Sequence, residues 1–184
     1  MVILASKSPQ RKAILEQLGI EFEIVASGVD EIESGDPGSV VVENALLKAR
    51  DIASRRPAGD IVIGADTVIA HDGDVIGKPV DRDDATRVMR RLAGTDHQVL
   101  GGIAAIGPDS VERSVSVATD VSFRDLTDRE IDLYVETGEW RERSGGYAIQ
   151  QRGATLVRAI NGDYLNIVGL SVVELLKLVP ELHR

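Results

Sequence analysis

Apolar positions along the chain switch between a strand-like and a helix-like spacing. Val2-Ile3-Leu4 is a short apolar run of strand length. A helix follows: Ser8 is an N-cap, Pro9 fits the first helical position, Ala13, Ile14, Leu15 and Leu18 give an apolar side, and Gly19 a stop. Residues 21–26 alternate charged and apolar as a half-buried strand does, and 27–38 are polar and turn-rich. Residues 39–56 read as a helix with Val42, Ala45, Leu46, Ala49, Ile52 and Ala53 on one stripe, closed by Pro57 and Gly59. Residues 60–65 read as a buried strand, and Val68-Ile69-Ala70 extend the apolar run to the hairpin pair Asp72-Gly73.

The second half continues with a helix over 81–92, whose inner side is Ala85, Val88, Met89 and Leu92. Two long strands over 97–106 and 111–123 flank Gly107-Pro108-Asp109. A helix over 127–137 opens on a capping box of Thr127 and Glu130. Residues 138–153 form a polar, Gly-rich loop with the only tryptophan, Trp140; 154–160 read as a strand, 164–170 stay ambiguous, and 171–179 read as a helix. Helices and strands alternate early and strands cluster later, which predicts an α/β fold with a mixed, twisted sheet flanked by helices. The length of 184 residues suits a single domain over 1–184, or two lobes around one cleft.

Composition narrows the function. The net charge is −9, from 30 acidic and 21 basic residues, so the surface repels nucleic-acid backbones and no nucleic-acid polymer is expected as partner. With no cysteine there is no thiolate chemistry and no disulfide framework, in keeping with a reducing compartment. No signal peptide is evident, and no apolar run approaches the roughly 20 residues of a membrane helix.

The candidate chemistry lies at element ends. A strand, a hydroxyl-bearing loop with Ser6 and Ser8, and a helix N-terminus leave backbone N–H groups for an anion, and Lys7, Arg11 and Lys12 add cations. This is a phosphate cradle or an ordinary capped β-α unit. The acidic loop carries Asp30, Glu31 and Glu33, solvated or with one facing a metal. Asn44 and Lys48 are four apart on neighbouring helix positions. Asp66 stands among β-branched residues, where an ionised group needs a partner or a metal; Gly64 and Ala65 beside it leave room for a ligand. Gly77-Lys78-Pro79 fails as a P-loop, since Pro79 stands where a hydroxyl is required, yet Lys78 can aim an ammonium at a phosphate. His97 reads as a hydrogen-bonded turn residue, and Gln150 can read a base edge.

The order of these motifs resembles the Maf family of cytoplasmic nucleoside triphosphate pyrophosphatases, also called septum-formation inhibitors. The likeness runs through residues 4–11, Val29-Asp30-Glu31, Lys48-Ala49, 64–68, Gly77-Lys78-Pro79, His97-Gln98-Val99, 146–150 and 162–170. It implies a fold like that of inosine triphosphate pyrophosphatases, a homodimer, and a divalent metal, Mg²⁺ or Mn²⁺. It also implies hydrolysis of a nucleoside triphosphate to monophosphate and pyrophosphate. By resemblance, Asp66 is the proton acceptor, and Arg11, Lys48 and Lys78 bind phosphate beside the hydroxyls of Ser6 and Ser8. Glu31 lies near the metal. Gln10, Thr67 and Gln150 govern substrate choice, and Thr67 and Gln150 look like the branch that prefers dTTP and UTP. Gln10 stands where the family commonly has the first of two arginines, and Gln151 where glycine is usual. Two competing readings are a non-catalytic nucleotide-binding regulator of cell division and a nucleotidyltransferase; the latter needs glycines between Ala5 and Arg11, and there are none.

Overall fold

The computed structural model describes residues 1–183. Its elements are β1 (Val2–Leu4), α1 (Pro9–Gln17), β2 (Phe22–Ile24), α2 (Pro37–Ala53), β3 (Ile61–His71), β4 (Asp74–Ile76), α3 (Arg82–Leu92), β5 (Asp96–Ile106), β6 (Glu112–Phe123), α4 (Asp128–Glu136), β7 (Val157–Asn161), α5 (Tyr164–Val168) and α6 (Val172–Leu178). The strands pair in the order β2-β1-β3-β5-β6-β7, with β4 on β3. β1 runs parallel to β2 and β3, whereas β4 and β7 are antiparallel to their neighbours, so the sheet is mixed as expected. Among the described residues no helix is long and apolar enough to cross a membrane.

The chain forms two compact units. The first comprises residues 1–67, 101–117 and the segment from Gly169 onward. Its core joins Ile3, Ala5, Ala45, Leu46, Ala49, Ile52, Val62, Ala104 and Ile106. Two glycines let α2 settle on the sheet. A Cβ on Gly64 of β3 would lie 2.1 Å from the Ala45 carbonyl oxygen, and one on Gly102 of β5 would lie 2.0 Å from that of Val41. No side chain fits at such a separation, so helix backbone rests directly on strand backbone. The room beside Asp66 that the sequence suggests for a ligand is therefore filled by α2. α2 also starts two residues earlier than expected, because Asp36 caps it by accepting from the Ser39 N–H at 2.9 Å and Pro37 takes its first position.

The second unit comprises residues 68–100 and 118–168. α3 and α4 bury Met89, Leu92, Ile131 and Tyr134 with Phe123, Trp140, Tyr147 and Leu156. The capping box of Thr127 and Glu130 forms as predicted. The strand expected over 154–160 begins later. Residues Arg152–Leu156 coil into a 3-10 turn because the Glu139 carboxylate accepts from the N–H groups of Arg152 and Gly153, both at 3.2 Å. That partner lies more than ten residues away and leaves no local signal.

His97 is not in a turn. It sits on β5, buried, with Nε2 2.9 Å from the Tyr147 hydroxyl and its ring edge-on to Phe123 at 4.9 Å. Burial, then the nearby His71, push its pKa down from 6.5 to about 4, against a smaller upward pull from Asp96. The folded state thus holds His97 neutral and binds fewer protons than the unfolded chain between these values. Its contribution is complete above about pH 6.5 and is lost as pH falls toward 4. By pH 4.5 this amounts to about 2–3 kcal/mol. His97→Gln is expected to flatten the acid side of a calorimetric melting profile relative to the wild type.

Candidate active site

Side chains two apart on a strand share a face. Gly64 faces α2, so Asp66 does too, and it meets two polar residues of that helix. Lys48 donates to Asp66 Oδ1 at 2.8 Å, and Asn44 Nδ2 donates to Asp66 Oδ2 at 3.0 Å. Asn44, Lys48 and Asp66 are 2%, 8% and 7% exposed, so Lys48 is a buried ion-pair partner rather than a solvated lysine. The helix-face reading of 39–56 thus extends inward: Val40, Val41, Asn44, Ala45, Lys48, Ala49 and Ile52 are all buried.

The acidic loop closes over this pair. Glu31 Oε1 lies 2.6 Å from Lys48 Nζ, and the Glu31 side chain remains 44% exposed. The third acceptor of Lys48 is the Ala65 carbonyl at 3.4 Å, so each of its three protons has a partner. Asn44 holds the loop backbone, accepting from the Ile32 N–H at 2.7 Å and donating to the Ile32 carbonyl at 3.0 Å.

Arg11 turns inward from the first turn of α1. Its Nη1 donates to Ser6 Oγ at 3.0 Å and the Ala65 carbonyl at 2.9 Å, Nε to the Gly169 carbonyl at 2.9 Å, and Nη2 to Thr67 Oγ1 at 3.1 Å. Four of its five N–H donors thus face the protein, leaving one. Burial lowers its pKa, opposed by the negative charges of Asp66 and then Glu31. Ser6 Oγ also accepts from the Ser8 N–H at 3.2 Å, and Ser8 Oγ caps α1 and donates to Gln10 Oε1 at 3.0 Å. Of the three cations expected around the loop, only Arg11 is buried; Lys7 is exposed, and Lys12 pairs at the surface with Glu16 at 3.5 Å.

The first unit therefore brings together Ser6, Arg11, Glu31, Lys48, Asp66 and Thr67, with Ser8 capping α1 and Gln10 in its first turn. Lys78 and Gln150 belong to the second unit, where both are exposed. The Lys78 turn is fixed there by the Gly145 N–H donating to the Gly77 carbonyl at 2.9 Å. The sequence reading placed Asn44 beside Lys48 without giving it a task. The Ala65 carbonyl, which takes both buried cations, has no signature in sequence.

The metal question turns on donor chemistry. Among the described residues no three His, Cys, Asp or Glu side chains gather into a cage. Glu31 and Asp66 do share one point, the Lys48 ammonium, so two carboxylates already converge on a cation. Magnesium-type ions are held by one or two carboxylates plus substrate phosphates, and this pair fits that donor set.

The architecture is that of a mixed α/β protein with a buried aspartate, lysine and arginine at the end of a parallel strand pair, joined by the partly exposed Glu31. The chain belongs to the Maf-like protein family, whose model matches residues 1–182. It is 42% identical to the dTTP/UTP pyrophosphatase of Alkaliphilus metalliredigens, covering 100% of this chain and 95% of that one. It is 39% identical to the dTTP/UTP pyrophosphatase of Pyrococcus furiosus, covering 100% and 96%. Among solved structures, the Staphylococcus aureus Ham1 protein is similar at 16% identity over 67% of this chain and 72% of that one, with a TM-score of 0.47.

Proposed function

We propose that this protein hydrolyses dTTP, UTP or related nucleoside triphosphates, modified ones included, to the monophosphate and pyrophosphate. Full-length identity to proteins named for that activity supports it. The observation that carries it is the buried Asp66 carboxylate, held by Lys48 and Asn44 beside Glu31. In the reaction, a water oxygen bonds to the α-phosphorus as the bond to the bridging oxygen breaks. The electron pair leaves with pyrophosphate, and Asp66 takes the water's proton.

Charge sets what else is needed. Arg11, Lys48, Glu31 and Asp66 sum to zero, so this cluster alone offers a triphosphate no net attraction. Lys78 adds one positive charge, the remaining Arg11 N–H one donor, and the helix N-terminus after Ser8 its dipole. Glu31 and Asp66 would hold a divalent cation, Mg²⁺ or Mn²⁺, which when bound neutralises phosphate oxygens and acidifies water. Thr67, Gln10 and Gln150 serve base and sugar selection in this reading. The same reading carries a cytoplasmic homodimer, testable for its stoichiometry by light scattering.

The test is pyrophosphate release from dTTP, UTP, CTP, GTP and modified nucleotides, with Mg²⁺, with Mn²⁺ and with chelator. Metal-dependent release, highest for dTTP and UTP, is expected; no release from any nucleotide would leave a binding protein. In the same assay Lys78→Ala is expected to raise KM for dTTP about tenfold with kcat little changed, as loss of a contact made equally in ground and transition states does. A fall in kcat alone would assign Lys78 to the transition state.

A further inference from the structure

We propose that Asn44 is a positioning residue that sets the Asp66 carboxylate and the Glu31 loop relative to each other. This rests on the reading of Asp66 as proton acceptor. Asparagine is a poor mid-helix residue, and its buried amide must be satisfied. Here the amide is satisfied in full: Oδ1 accepts from the Ile32 N–H, and the two Nδ2 protons go to the Ile32 carbonyl and to Asp66 Oδ2. Only one amide orientation works. Reversing it would set Nδ2 against the Ile32 N–H and Oδ1 against two acceptors.

One side chain thus does two things at once. It clamps the backbone of the residue next to Glu31, whose carboxylate reaches Lys48 at 2.6 Å. It also fixes the plane of Asp66 by holding the oxygen that Lys48 does not touch, at 3.0 Å. A leucine of similar size would fill the space and do neither.

Asn44→Asp tests the idea by keeping shape and the acceptor for Ile32 while turning both donors into lone pairs. Asp66 Oδ2 and the Ile32 carbonyl then lose the donor that holds them, and kcat is expected to fall about tenfold with KM for dTTP within about threefold of wild type. Asn44→Ala adds no charge and gives the second arm. The Ile32 amide is expected to exchange with solvent about tenfold faster, without nucleotide, and kcat to fall about tenfold. An active wild type with unchanged kcat in Asn44→Asp, or unchanged Ile32 exchange in Asn44→Ala, overturns the role of Asn44 alone. A wild type that releases no pyrophosphate overturns the proposed function instead.

Discussion

Asp66→Asn is expected to lower kcat for pyrophosphate release by about a hundredfold or more, the scale of a lost general base. The substitution keeps the shape of the side chain but removes its basicity. It also breaks the local hydrogen bonding. Lys48 and Asn44 each donate to a different Asp66 oxygen, and an amide offers only one, so one donor meets an N–H instead. The buried ammonium of Lys48 then has only Glu31 as counter-charge. That surplus positive charge draws anionic nucleotide, so KM is expected to stay level or fall while kcat collapses. Steady-state pyrophosphate release at saturating dTTP reads both. Turnover within about threefold of wild type would remove Asp66 from the chemistry.

Gly64→Ala is expected to cost about 3 kcal/mol or more of stability and to lose most activity. A Cβ there would lie 2.1 Å from the Ala45 carbonyl oxygen and 3.0 Å from the Ala49 nitrogen, both backbone of α2. No rotamer relieves that overlap, so the helix must lift away from β3, which is costlier than ordinary overpacking. Asn44 and Lys48 flank Ala45 and Ala49 on the same helix, and they move with it. The two effects therefore arrive together: a melting temperature lower by about 6–12 °C for a chain of this size, and a site pulled apart. Gly28→Ala is the control, because nothing lies within 4 Å of its added Cβ and its backbone is unstrained. A Gly64→Ala protein that melts like wild type would contradict the close seating of α2.

The candidate site was legible in sequence where its logic is local. Ser8 and Pro9 announce the start of α1, Asp72-Gly73 turns β3 into β4, and a lone aspartate in the apolar run of β3 marks Asp66 as costly unless paired. The partners were not legible, since they depend on which elements touch. Arg11 looked like one of three loop cations, but it bonds to Gly169, 158 residues on, and to Ala65. Gly64 looked like a space for ligand because a missing side chain does not say what fills the gap. Lys48 and Asn44 sit beside the apolar stripe of α2, and only the seating on Gly64 and Gly102 makes that flank an interior face. His97 reads both as the first residue of a strand over 97–106 and as a hydrogen-bonded turn residue; the strand begins one residue earlier, at Asp96, so the strand reading is the one that holds.

Hydrolysis of dTTP in oxygen-18 water tests the central claim most directly, with the products separated and weighed by mass spectrometry. Attack on the α-phosphorus by water activated at Asp66 predicts a single oxygen-18 in the monophosphate, none in the pyrophosphate, and equal amounts of the two. Label in the pyrophosphate, or release of orthophosphate as the first product, would contradict it.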